Sequence, residues 1–180
     1  DRIPADDSDR TTYLTGGMMA AQVQRRVGAP GVTQATREAL ANTLPGATRR
    51  EIADAVWGWA RANMALVDHE ALACEMAGAC SADVQFLVDP ELAALERRGD
   101  CAIYTPLVCA ILFTAGVPCR MVVVAADGAE PQRFSHVYAA AVLEDGSLYP
   151  LDASHGQAPG WETPNQHRRA VWSVFGLPLW

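Results

Sequence analysis

The stretch GDCAIYTPLVCAILFTAGVPCRMVVVAA, residues 99–126, contains the pattern that decides the fold of this chain. Its first part, 101–115, is almost continuously apolar, which predicts a helix that is buried on all sides. Gly116 ends this helix, and Pro118 follows two residues later. From 120 to 126 the hydrophobic period changes from 3.6 to 2, as expected for a strand. The stretch therefore predicts a buried helix that leads directly into a sheet.

Further strands are predicted after this point. Segments 134–143 and 147–152 have strand character, and the tight turn EDG at 144–146 joins them into a hairpin. A last apolar segment, 170–175, predicts an edge strand. Because helices precede a hairpin-linked sheet, the sequence predicts an α+β fold rather than a βαβ arrangement. In this fold the N-terminal helices and the buried helix pack on an antiparallel sheet.

Two helices are predicted near the start of the chain, over 17–27 and 33–44, where apolar residues recur at helical spacing. A capping box at 48–51 opens a third helix. Trp57 and Trp59 lie on this third helix, and both are expected to pack in the core.

A short helix is predicted after residue 88. Asp89 is its N-cap and Pro90 its first residue, a position that proline favours. Leu92 and Leu95 are expected to face inward from this helix.

The composition limits the class of protein. The chain has 180 residues, of which 50% are hydrophobic and 19% charged. Residues 1–16 predict an extended acidic arm, and residues 17–180 predict a single domain. The 21 acidic and 14 basic side chains give a net charge of -7, the wrong sign for binding phosphates, so no nucleic-acid partner is expected. No apolar run approaches the roughly 18 residues of a membrane span, so no membrane association is expected.

Cysteine and lysine usage adds two constraints. The cysteines are Cys74, Cys80, Cys101, Cys109 and Cys119. Their odd number leaves at least one free thiol, and a cytoplasmic location (the host cytoplasm for a phage protein) is expected, although two disulfides would also fit. The chain contains no lysine, which excludes covalent catalysis by a lysine amine.

Three residues in separate segments carry the candidate chemistry. Cys101 begins the buried helix, where the positive end of the helix dipole favours a reactive thiolate. His136 lies on the second predicted strand and Asp152 ends the third, so hairpin pairing brings them together. We expect the buried helix to pack on this sheet, which brings Cys101 close to His136. A nucleophile, a base and an orienting acid in this arrangement predict thiol catalysis.

Four segments resemble the transglutaminase-like superfamily of papain-type thiol enzymes. They are Arg98-Gly99-Asp100-Cys101, Ala115-Gly116-Val117-Pro118-Cys119-Arg120, Phe134-Ser135-His136-Val137-Tyr138 and Leu151-Asp152-Ala153-Ser154, and they occur in the family's order. The resemblance covers about residues 48–155, the motif-bearing core of the domain. The short chain is also similar to phage- or prophage-encoded members.

The resemblance implies that Cys101 is the nucleophile, His136 the general base and acid, and Asp152 the residue that orients His136. Family members hydrolyse peptide or amide bonds, or transfer the acyl group to an amine, through a thioester acyl-enzyme. We expect a protease or amidase rather than a protein-crosslinking enzyme, with a peptide or protein substrate and with neither cofactor nor metal.

Further site residues are less well defined by the sequence. The backbone N–H of Cys101 is expected to form part of an oxyanion hole. Gln85 is the candidate for a second oxyanion donor, and Tyr104 and Trp161 are candidates for the walls of a substrate pocket.

The sequence allows two alternative interpretations, a metal site and a fold without catalytic activity. His69, Cys74 and Cys80, completed by His155 or Cys119, would form a metal cluster, but their spacing fits no standard zinc pattern. The other alternative is a catalytically idle fold that serves as a binding or virion-associated structural module. The acidic arm and the apolar C-terminus, 177–180, would then dock a partner protein.

Overall fold

The buried helix predicted from residue 101 lies at the centre of the computed structural model, which describes residues 8–78 and 86–175. This helix, α6, lies between the sheet and helices α1, α2, α3 and α5. The elements are α1 (Ser8–Arg26), α2 (Pro30–Ala39), α3 (Arg49–Asn63), β1 (Ala65–Leu66), α4 (His69–Ala77), α5 (Pro90–Glu96), β2 (Arg98–Gly99), α6 (Cys101–Thr114), β3 (Cys119–Val124), β4 (His136–Val142), β5 (Leu148–Leu151) and β6 (Arg169–Ser173). The predicted α+β fold, with helices packed on an antiparallel sheet, is confirmed.

Helix α6 is apolar on every side because every side of it is covered. All its residues from Ala102 to Leu112 are buried. Pro106 lies in the second turn of the helix, where its missing N–H removes one intrahelical hydrogen bond. The helix therefore forms the centre of the hydrophobic core and fixes the position of Cys101 at its N-terminus.

The main sheet has four antiparallel strands in the order β5-β4-β3-β6. The predicted edge strand is β6, which pairs with β3 on the side away from the hairpin. In the hairpin, Leu151 pairs with Ala139. Since Asp152 follows Leu151, the acid lies close to His136, three residues before Ala139 on the neighbouring strand. A separate parallel pair, β1 and β2, lies directly before α6.

The first helix begins earlier than predicted, which corrects the extended arm expected over 1–16. Helix α1 starts at Ser8, so residues 8–16 are helical; residues 1–7 lie outside the described part of the chain. Gly16, Met19 and Val23 are buried at helical spacing, and Gly16 packs against the Trp172 side chain of β6. The polar first turns gain their helical conformation from this packing, which the missing apolar period did not reveal.

Two smaller expectations also change. Helix α2 begins at Pro30, three residues before the predicted start, because proline is well suited to the first helical position. The capping box at 48–51 and the Asp89 cap are present as predicted. On α5, however, Leu92 and Leu95 are 40% and 69% exposed, and the alanines 93 and 94 are buried instead. The helix is too short for the apolar spacing of its leucines to define its inner face.

Within residues 8–78 and 86–175, no helix is both long and apolar enough to cross a bilayer.

The cysteine pairing that the sequence left open is resolved in part: Cys74 is disulfide-bonded, whereas the thiols at 101, 109 and 119 are free. Disulfides persist mainly in oxidising compartments, and the disulfide at Cys74 therefore gives the expected cytoplasmic location no support. That location stays a prediction. Cys109 and Cys119 are fully buried in the core.

Candidate active site

Cys101 is the first residue of α6, and its neighbours explain why the helix begins there. Asp100 is the N-cap, and its Oδ1 accepts a hydrogen bond from the backbone N–H of Ile103 at 3.1 Å. Gly99 lies against the same turn, where a Cβ atom would come within 2.6 Å of the Ile103 side chain. A partly buried free thiol thus projects from a capped helix start, where backbone N–H groups favour negative charge.

His136 is the first residue of β4, which packs against α6, the helix that begins with Cys101. Thr105, one turn into α6, is buried, and its hydroxyl donates to the carbonyl oxygen of Val137 at 3.1 Å. This hydrogen bond connects the helix that carries Cys101 to the strand that carries His136. The His136 side chain is only 10% exposed, and it lies close enough to Cys101 for the thiol to raise the pKa of His136.

Asp152 follows β5 and is completely buried. Its Oδ2 lies 2.7 Å from His136 Nε2. Its Oδ1 accepts three hydrogen bonds, from the backbone N–H of Ser154 at 3.2 Å, the Ser154 hydroxyl at 2.9 Å and the backbone N–H of His155 at 2.9 Å. A buried carboxylate is stable only when it is paired and hydrogen-bonded, and four hydrogen bonds meet that condition here.

The interactions of His136 and Asp152 favour the charged form of both. Burial acts to lower the pKa of His136, but hydrogen bonds to Asp152 and Cys101, and the charges of both, raise that pKa to about 10. Burial acts to raise the pKa of Asp152, but the hydrogen bond and charge of His136 hold it below its usual value. At neutral pH the pair is therefore imidazolium and carboxylate. Because Asp152 engages Nε2, the ring nitrogen left for Cys101 is Nδ1.

His155 is a fourth polar residue at the site. Its ring meets that of His136 edge to face, with centroids 4.9 Å apart, and its Nδ1 lies 2.9 Å from the Ser154 hydroxyl. That hydroxyl gives its single proton to the ionised Asp152, so it can only accept from His155, and neutral His155 carries its proton on Nδ1. Burial, followed by the positive charge of His136, lowers the pKa of His155.

Three of these side chains lie close enough together to be considered as ligands of a metal ion. One ligand atom each from His136, Asp152 and His155 lie within 4.8 Å of one another. Zinc bonds to nitrogen and oxygen are about 2.0–2.2 Å long, so an ion bridging His136 and Asp152 would hold these atoms farther apart than the observed 2.7 Å. As arranged, these two atoms share a proton. The alternative cluster around Cys74 loses that ligand to the disulfide.

The remaining predicted site residues are placed differently from one another. Tyr104 was expected in a pocket wall, but it is 3% exposed, its hydroxyl donates to the Met64 carbonyl at 2.7 Å, and its ring belongs to the core. This placement corrects the expectation, because a ring one turn into an all-round buried helix has no free side. Trp161 is half-buried on the loop after Asp152, and its role stays a prediction. Gln85 lies outside the described residues.

The structure also brings two side chains to the site that the sequence analysis did not assign to it. Trp57 Nε1 donates to the Asp152 carbonyl oxygen at 3.0 Å, and Arg61 donates to the carbonyl oxygens of Ala153 and Ser154 at 3.3 and 3.1 Å. Both lie on α3. The two-residue spacing places Trp57 and Trp59 on different faces of this helix, but nothing in the sequence shows that the face of Trp57 meets the turn of Asp152.

Comparisons with solved structures find several that resemble this chain at low sequence identity. A candidate protease from Parabacteroides distasonis is 15% identical with a TM-score of 0.54, and the match covers 91% of this chain and 30% of that one. A candidate cysteine protease from Cytophaga hutchinsonii is 14% identical, with a TM-score of 0.48 and coverage of 79% and 47%. Rad4–Rad23 bound to a 6-4 photoproduct UV lesion is 11% identical, with a TM-score of 0.50 and coverage of 95% and 48%.

This chain spans less than half of each of these three structures, and identities this low establish the fold alone. No curated protein sequence matches the chain. The family model of the transglutaminase-like superfamily, however, matches residues 38–153, which is more than half of the sequence and includes all three candidate catalytic residues. The chain therefore belongs to the transglutaminase-like superfamily.

Proposed function

We propose that the protein is a cysteine-dependent hydrolase or acyltransferase that acts on amide bonds of a peptide or protein substrate. Cys101 is the nucleophile, His136 the general acid and base, and Asp152 the residue that orients His136. One observation carries the proposal: His136, which lies beside Cys101, is hydrogen-bonded at 2.7 Å to the fully buried carboxylate of Asp152. A buried carboxylate held by four hydrogen bonds is costly for a fold that uses no chemistry at this position.

Acylation uses the proton of His136. The thiolate of Cys101 attacks the carbonyl carbon of the amide, and the electron pair of the C=O bond moves onto oxygen. First-turn N–H groups of α6, including that of Cys101, stabilise this oxyanion. The tetrahedral intermediate then expels the amine, which takes the proton from the imidazolium of His136. The products are a thioester on Cys101, a free amine and a neutral His136.

Deacylation reverses these roles. Neutral His136 removes a proton from the attacking water as the water oxygen bonds to the thioester carbon. The C–S bond breaks, the carboxylic acid leaves, and the thiolate of Cys101 and the imidazolium of His136 are restored. Asp152 stays ionised throughout and stabilises the imidazolium each time it forms.

Hydrolysis is favoured over crosslinking. An amine in place of water would give transamidation by the same steps, but the chain contains no lysine. It therefore cannot crosslink itself through lysine side chains, and a partner would have to supply the amine. Water is always available to the thioester.

Alkylation by iodoacetamide tests the proposal, with each cysteine read by peptide mass spectrometry. Cys101 should react fast well below pH 8.5, where an isolated thiol ionises, and His136→Ala should remove this reactivity. The free, fully buried thiols of Cys109 and Cys119 provide internal controls. Equal labelling of Cys101 in wild type and His136→Ala would overturn the proposal.

Substrate screening follows a positive result. A peptide library is incubated with wild type and with Cys101→Ala, and new N-termini are read by mass spectrometry; a biotin-tagged primary amine in parallel samples reports transamidation. New N-termini that require Cys101 identify a protease. Absence of turnover on every amide, together with a stable complex on purification, would favour the binding or structural module instead.

A further inference from the structure

We infer that helix α3 positions the carboxylate of Asp152 through Trp57 and Arg61, which together hold the backbone of the turn that carries it. The inference rests on the proposed function, because it concerns the residue that orients His136. The hydrogen bonds of Trp57 and Arg61 to this turn go to its backbone carbonyl groups at 152–154, so both are positioning residues that act through the turn.

Trp57 provides the first of these contacts. Its Nε1–H donates to the backbone carbonyl oxygen of Asp152 at 3.0 Å, and the backbone N–H of Gly156 donates to the same oxygen at 2.9 Å. Asp152 is completely buried, so these protein donors, not bulk water, satisfy its carbonyl group. The indole N–H thereby fixes the orientation of the peptide group from which the Asp152 side chain projects toward His136.

Arg61 extends the contact along the chain. Its Nη1 donates to the carbonyl oxygens of Ala153 at 3.3 Å and Ser154 at 3.1 Å. Its guanidinium carbon also lies 5.9 Å from the centre of the Trp57 ring, within the range of a cation–π contact. Three successive carbonyl groups, 152–154, are therefore held by two side chains of one helix.

The position of α3 is itself well defined. Asp54, Trp57 and Arg61 recur at intervals of three and four residues and so lie on one face of the helix. On that face the Asp54 carboxylate accepts a hydrogen bond at 2.9 Å from the hydroxyl of Tyr149 in β5. At the start of α3, Arg49 donates to two carbonyl groups, at 142 and 143, near the end of β4. The helix is thus anchored on the hairpin whose β5 strand leads into Asp152.

This arrangement differs from ordinary core packing. Trp59, two residues along α3, is 6% exposed and donates its Nε1–H to Glu38 of α2 at 3.0 Å. The two tryptophans thus belong to the same helix and each donates one N–H, but only Trp57 bonds the turn of Asp152. Removal of the indole N–H at Trp57 tests the positioning of the site, and the same removal at Trp59 measures the general stabilisation that an indole provides.

The experiment compares Trp57→Phe with Trp59→Phe as its matched control. The titration of the His136 ring is followed by NMR, with His136→Gln used to assign the signal. Since His136 depends on Asp152 for its raised pKa, Trp57→Phe should move its titration midpoint down by about one pH unit, a tenfold change in protonation, whereas Trp59→Phe should leave it at the wild-type value. Urea unfolding of both variants measures the structural cost separately.

Arg61 provides a second pair of variants in case Trp57→Phe does not fold. Arg61→Gln should lower the titration midpoint of His136. Arg61→Lys, which retains a positively charged nitrogen with N–H donors, should recover part of that loss. Equal midpoints in Trp57→Phe, Trp59→Phe and wild type, or in Arg61→Gln and wild type, would overturn the inference. The titration does not require turnover. Failure of the proposed function would instead appear as Cys101 labelling in the wild type that does not depend on His136.

Discussion

Replacement of Asp152 by asparagine tests whether His136 needs a charge beside it or only a hydrogen-bond acceptor. Three donors from Ser154 and His155 converge on Oδ1. An amide nitrogen cannot accept them, so the asparagine oxygen must occupy the Oδ1 position. The NH₂ group then lies where Oδ2 was, facing His136 Nε2 at 2.7 Å. A donor at this position opposes the Nε2–H of the imidazolium, so the variant disfavours the charged form of His136.

The size of the effect follows from the pKa of His136. That pKa is about 10, against an ordinary value of 6.5, and each pH unit corresponds to about 1.4 kcal/mol. Burial opposes the rise, and the hydrogen bond to Asp152 leads the contributions that produce it. A hydrogen bond to a charged group is worth about 1.5–3 kcal/mol, so the His136 midpoint should fall by about one to two units. We expect kcat/KM to fall about 10²- to 10⁴-fold.

Two measurements check this prediction. NMR titration reports the His136 midpoint directly, and iodoacetamide alkylation at pH 6 reports the reactivity of Cys101. Asp145→Asn is the matched control, because Asp145 accepts hydrogen bonds from Ser147 in an exposed turn away from the site. The reasoning is refuted if Asp152→Asn shows the wild-type midpoint and the wild-type labelling rate.

The same pKa fixes the sign of a stability effect. A folded-state pKa above the unfolded value means that the folded state binds the His136 proton more tightly. The resulting stabilisation is complete below pH 6.5 and is lost as the pH rises through about 10. In Asp152→Asn the loss should be complete at a lower pH, because the folded-state midpoint is lower. Urea unfolding between pH 6 and 11 measures the two profiles.

Three further predictions concern the surroundings of the site. Thr48→Ala removes a capping box and should lower the free energy of unfolding by about 1 kcal/mol, measured in urea, without changing the labelling of the nucleophile. Gly156→Ala should reduce labelling strongly, because a Cβ there would collide with the Asp152 carbonyl oxygen; unchanged labelling would mean that the turn adapts. The lowered pKa of His155 means that its stabilising effect is present above pH 6.5 and lost as the pH falls, so His155→Gln should flatten the decline of stability below pH 6.5. An unchanged acid profile would show that folding does not lower the pKa of His155.

The sequence predicts the elements around the nucleophile well because their signals are local. An unbroken apolar run demands burial on all sides, which predicted α6 and hence the helix start at Cys101. The change of period after Pro118 predicted the sheet, and a three-residue turn set the hairpin register closely enough to place Asp152 near His136. Each of these inferences needs only neighbours along the chain.

The errors arise where distant packing decides. The first turns of α1 are polar, and their helical state depends on contact of residues such as Gly16 with Trp172, more than 150 positions away. Tyr104 lies only three residues from the nucleophile in sequence but points to Met64 in the core. Trp57 and Trp59 lie on different faces of one helix, but only their tertiary partners show that Trp57 bonds the turn of Asp152. Proximity along a helix does not reveal which face meets the substrate.

The site lies where two layers of the fold meet, and this location sets what keeps it aligned. Cys101 comes from the helical layer, whereas His136 and Asp152 come from the hairpin. Of the hydrogen bonds that cross between the layers near these residues, one runs from Thr105 to the carbonyl beside His136 and another from Trp57 to the carbonyl of Asp152. Both acceptors are backbone atoms, so alignment depends on main-chain positions rather than on side-chain rotamers. Volume-conserving changes in the core should therefore preserve the geometry, whereas loss of either donor should disturb it while the fold persists.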